Sequence, residues 1–105
     1  MTKTQIRDAL IAAREAAQRV APGEDEGTSN RDSAVFWPGK TRTKTIESAA
    51  EEAGITINIR DWLGARTVFL HVQHGQGAQR TRMAEAAAKA LQAAGLDSAV
   101  YYQMD

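Results

Sequence analysis

A chain of 105 residues is close to the usual size of one domain and implies one hydrophobic core. With 43% hydrophobic and 25% charged residues it is too apolar for general disorder. Thirteen basic residues offset thirteen acidic ones, so affinity for nucleic acid must come from a local patch, and the absence of cysteine excludes disulfide, thiolate and cysteine–zinc chemistry.

Residues 4–20 place Ile6, Leu10, Ala13, Ala17 and Val20 on one stripe of a 3.6-residue helix. Thr2 and Gln5 have capping-box spacing, and Pro22-Gly23 stops the helix. The N-terminus lacks the apolar run of a signal peptide or a membrane span, so cytoplasm and no membrane partner are the expectation. The 20 Ala and 9 Arg, against 4 Lys, are the bias of a GC-rich coding sequence, as in a high-GC bacterium or its phages and plasmids.

Residues 21–44 are the loosest stretch, with an acidic cluster Glu24-Asp25-Glu26 and a small polar run from Gly27 to Ser33. A structureless loop of that length is uncommon inside a compact domain. Val35-Phe36-Trp37, ended by Pro38-Gly39, is therefore expected to add a short edge strand or to tuck its aromatics into the core. The basic run Lys40-Thr41-Arg42-Thr43-Lys44 follows, and Thr45–Ala53 then reads as a short helix with Gly54 as a left-handed cap.

From Ile55 the period changes to two. Ile55, Ile57 and Ile59 alternate with polar residues, Asp61-Trp62-Leu63-Gly64 reads as a hairpin loop, and Thr67–Val72 alternates again. Residues 78–94 form an alanine-rich helix with Met83, Ala87 and Leu91 inward, and Ala99–Met104 closes as a strand. The fold expected is α+β in a single domain spanning 1–105. Its three- to four-stranded, mostly antiparallel sheet is built from a β-hairpin, a helix and a closing strand. An N-terminal helix and a short middle helix pack chiefly on one face.

Register gives this reading functional content. If the isoleucines share a face with Val68, Leu70 and Val72, the other face collects Thr56, Asn58, Arg60, Thr67, Phe69, His71, Tyr101 and Gln103. Aromatic rings, an Arg and a His among small polar groups form a stacking surface for unpaired bases, unless a third helix or a second copy of the chain covers them. Lys40, Arg42 and Lys44, with Arg80 and Arg82 at the start of a helix, are the candidate contacts to a nucleic-acid backbone. The Gly75-Gln76-Gly77 turn before that helix is a candidate phosphate-contacting loop, although the third glycine of a dinucleotide fingerprint is replaced by Arg80.

His71 and His74 point to opposite faces of an extended segment and have no obvious third ligand, so neither a metal nor a cofactor is expected. No side chain is placed as a nucleophile and no carboxylate pair suggests acid–base work, so no catalytic residue is assigned and the chain reads as a non-enzymatic binding module. An unidentified protein partner ranks first, engaged by Phe36 and Trp37 as aromatic anchors, with the chain acting as an inhibitor or adaptor. Nucleic acid ranks second because the charge is balanced, and a homodimer is a further partner option.

Overall fold

Three helices and four strands form among residues 1–104, the part of the chain described by the computed structural model. They are α1 (Lys3–Val20), β1 (Ser33–Trp37), α2 (Thr43–Ala53), β2 (Ile57–Trp62), β3 (Ala65–Leu70), α3 (Ala78–Ala93) and β4 (Asp97–Tyr101). The fold is α+β. One sheet runs in the order β2-β3-β1-β4 with every neighbouring pair antiparallel. From β1 to β4 the chain is a β-α-β-β-α-β unit, in which each helix crosses between two strands that leave room for a third between them. No helix is long and apolar enough to cross a membrane among the described residues.

Alternation along the strands places the core. Ala34 and Phe36 of β1, Val68 and Leu70 of β3, and Ile57 and Ile59 of β2 share one face with Ile55 and Val72 just beyond the strands. The helices seal that face. The stripe of α1 (Ile6, Ala9, Leu10, Ala13, Ala17) lies against both α2 and α3, wedged between them, and Ile46, Met83 and Leu91 fill the space beneath. Alanine dominates the helix contacts because small side chains let helix axes approach closely. The expected capping box joins Thr2 and Gln5 by reciprocal bonds, and Gly54 adopts the left-handed cap, its neighbour Ile55 donating to the Ala50 carbonyl. Arg14 of α1 adds a bond to the Ala53 carbonyl, which ties the end of α2 to α1.

Three expectations need correction. Residues 33–37 form an inner strand flanked by β3 and β4, not an edge strand, because β4 returns from α3 to pair along the whole of β1. Phe36 is 0% exposed and shares the helix-covered face with Ala34, so the alternative that the segment tucks an aromatic into the core holds for Phe36, whereas its role as an anchor for a partner does not. Asp61 and Trp62 belong to β2, and the hairpin closes in only two residues, Leu63 and Gly64, with φ of 55° and 75°. Positive φ at both positions is the two-residue hairpin geometry that matches strand twist and prefers Asn-Gly.

Leu63 is 76% exposed and sits in a left-handed conformation that crowds its Cβ against backbone. Replacing it removes strain without disturbing packing. Leu63→Asn is expected to raise the unfolding free energy by about 1 kcal/mol with an unchanged denaturant slope, measured by urea titration. A lower midpoint would contradict this reading of the turn.

Candidate functional site

Among the described residues no helix covers the second face of the sheet, so its own side chains must protect it. Thr67 and Val35 are fully buried in the floor, with Val35 between Phe69 and Ala99 on the flanking strands. Above them Trp37 stacks on Trp62 at 5.8 Å with 14° between ring planes. Trp62 also meets Tyr101 edge-on at 5.1 Å and Phe69 at 6.3 Å, and Phe69 meets Tyr101 at 5.3 Å. Trp62 and Tyr101 lie at opposite ends of the two edge strands, and the twist of the sheet lifts these diagonal corners toward each other. The rings thus form a second, smaller apolar cluster on the helix-free side.

Beside this cluster the face opens into a concavity of about 180 Å³ lined by Arg31, Ser33, Asn58, Arg60, Phe69, His71, Gln73, Arg80, Tyr101 and Gln103. No carboxylate lines it among the described residues. The Arg60 guanidinium lies 4.2 Å above the Phe69 ring and 5.5 Å from that of Tyr101, so it caps the rings and points its charge into the opening. Arg80 donates through Nε to the Asp32 carbonyl at 3.0 Å, which aims its remaining nitrogens; neither Arg60 nor Arg80 forms an ion pair among the described residues.

The rim is fixed by a buried polar hub. Asp32 accepts from the Thr81 hydroxyl at 2.6 Å and from the Gln103 backbone at 2.8 Å, so its carboxylate is engaged within the fold. Asn30 reaches the Gly77 carbonyl and Thr81 Oγ1, and the Arg31 N–H donates to the Gln103 carbonyl at 2.7 Å. The floor is made by Gln73, whose amide nitrogen donates to the Leu70 carbonyl while its oxygen accepts from the Ala34 N–H. In that position the Gln73 amide continues the ladder between β1 and β3 after β3 has ended.

The sequence-derived candidates fall into separate groups. Arg60, Phe69, His71, Arg80 and Tyr101 meet at the concavity, although Phe69 is only 4% exposed and presents no open ring face. Lys40, Arg42 and Lys44 are exposed at the opposite end of β1, roughly 13 Å away along a strand of this length. Arg66 clasps their loop by donating to the carbonyls of Gly39 and Thr41 and to Thr43 Oγ1, so that threonine hydroxyl is already engaged. Arg82 faces the other way and donates to the carbonyls of Val20, Ala21 and Glu24, where it fastens the end of α1 rather than facing a ligand. Trp37 is half-buried in the ring cluster.

Arg31, Gln73 and Trp62 were not legible as site residues. Arg31 and Gln73 flank strands whose pairing is long-range, whereas Trp62 continues the Asn58–Arg60 alternation and becomes visible once β2 is extended by two residues.

The Gly75–Gly77 loop, a candidate phosphate contact, is already occupied from within. Asp25 accepts from the N–H groups of Gln76 (2.9 Å), Gly77 (2.8 Å) and Gln79 (3.1 Å), capping α3 from far away in the sequence. The chain packs so tightly here that a Cβ on Gly77 would lie 2.6 Å from the Glu26 carbonyl oxygen. No protein-family model matches the chain, and neither the curated proteins nor the solved structures compared with it give a match.

The bonds from Gln76 and Gly77, and then from Gln79, hold the Asp25 carboxyl below the usual carboxylate range, with the charge of Arg82 adding to them. A depressed folded-state pKa contributes stability that is present above the unfolded value, about 3.9, and lost as pH falls through the folded one. Asp25→Asn is therefore expected to lower the melting temperature at pH 7. The gap to wild type should shrink as pH drops below about 4. A gap that stays constant with pH would show that the charge of Asp25 is not what caps α3.

Proposed function

We propose that the chain is a non-enzymatic binding module that holds single-stranded nucleic acid on the helix-free face of its sheet. The observation that carries this reading is the concavity itself, where guanidinium groups, a histidine and aromatic rings converge with no carboxylate among the described lining residues. Arg60 and Arg80 are suited to phosphate oxygens, because a planar guanidinium donates in pairs. Tyr101 and the plane of Arg60 itself offer stacking partners to a base, and Asn58 and Gln103 offer amides to its edge. A neutral chain can still bind this way, since the charges that count are those within a Debye length of the site.

A protein partner is the second reading. Its support moves from Phe36, which lies in the core, to the hairpin tip, where exposed Leu63 stands beside the Trp37–Trp62 stack. Such a surface suits an inhibitor or adaptor, or a second copy of the chain.

Fluorescence anisotropy with short single-stranded DNA and RNA separates the two. For about three phosphate contacts, raising salt from about 50 to about 200 mM should weaken binding roughly twentyfold. Arg60→Gln combined with Arg80→Gln should weaken binding and flatten the salt slope by about 1.4, whereas Arg42→Gln with Lys44→Gln should change little. Absence of binding at low salt, or sensitivity only to the second pair, would count against the sheet-face site.

A further inference from the structure

Walls on two sides of the concavity bear on which part of a strand it takes. Gln73 and Ser33 fill the floor, and the Arg31–Gln103 backbone bond closes one rim. On the opposite side Phe69 is covered by Arg60, Trp62 and Tyr101, and Trp37 and Trp62 are stacked on each other. A row of successive bases therefore has no row of open rings to lie on. One terminal unit is placed there, with the Arg60 and Arg80 guanidinium groups and the His71 imidazole around it. A backbone phosphodiester brings a single negative charge, while a terminal phosphomonoester brings nearly two and three acceptor oxygens.

Resting on the nucleic-acid reading above, we infer that this pocket recognises the phosphorylated end of a single strand. The terminal phosphate sits between Arg60 and Arg80, with His71 at its margin, and the first base lies toward Tyr101. Arg80 is the positioning element for the anion, because its bond to the Asp32 carbonyl ties it to the hub that fixes Gln103 and Thr81. Arg60 acts as a hinged cover: among the described residues the two rings alone hold it, so it can rise from Phe69 to meet the phosphate.

The test compares a short oligothymidylate carrying a 5′ phosphate, a 3′ phosphate, or hydroxyls at both ends, titrated against the intact chain at constant salt. One of the phosphorylated strands should bind about tenfold tighter or more than the dihydroxyl strand, as expected for added charged hydrogen bonds. Arg80→Gln should abolish that preference, while Arg80→Lys should retain part of it. Arg60→Gln, which removes no hydrogen bond among the described residues, should also abolish it and guards against loss of folding in the Arg80 variants. Equal affinity for all three strands would overturn the terminal-phosphate assignment and leave strand binding intact. Failure of all three to bind would overturn both.

Discussion

A small antiparallel sheet buries one face under helices and has to satisfy the other by different means. Here α1, added ahead of the β-α-β-β-α-β unit, wedges between α2 and α3 and joins all three helices into one layer. The helix-free face is therefore left to its own side chains. Trp37, Trp62, Phe69 and Tyr101 close over the floor at Val35 and Thr67, and Arg60 lies on top of them. Twist makes this closure possible by bringing the corners at Trp62 and Tyr101 together, and it leaves the concavity beside them.

The polar wall of that concavity has a structural origin as well. The chain enters β1 through Asn30, Arg31 and Asp32 and leaves β4 through Gln103, and these two segments are locked to each other and to Thr81 of α3. One hub thus sets the positions of Arg31, Arg80 and Gln103. Asp25, capping α3 through the Gly75–Gly77 turn, holds the same corner from below. Groups fixed by the fold bind with less ordering cost than groups that must be gathered by a ligand.

Much of the fold was legible in the sequence because its signals are local. The helix stripes, the caps at Thr2 and Gly54 and the alternation of Ile57 and Ile59 with Asn58 and Arg60 are all set within a few residues. Alternation also brought Arg60, Phe69, His71 and Tyr101 onto one face. What escaped depends on contacts distant in sequence. The polar stretch before Ser33 gives no sign that β1 is an inner strand, since its neighbours come from residues 65–70 and 97–101. Phe36 and Trp37 are adjacent and equally aromatic, yet the pleat sends one into the core and leaves the other in the ring cluster. Arg80 and Arg82 are two apart on a helix and so diverge, one toward the concavity and the other to the carbonyls that end α1.

The proposed ligand touches the chain on the helix-free face. Amide and side-chain chemical-shift mapping with a short single-stranded oligonucleotide tests that most directly. Shifts are expected to concentrate at Asn58, Arg60, His71, Arg80 and Tyr101, together with the Trp62 indole, with little change along Lys40–Lys44 or the outer surfaces of α1 and α2. Shifts centred on the Lys40–Lys44 loop, with the Arg60–Tyr101 region unmoved, would contradict this placement.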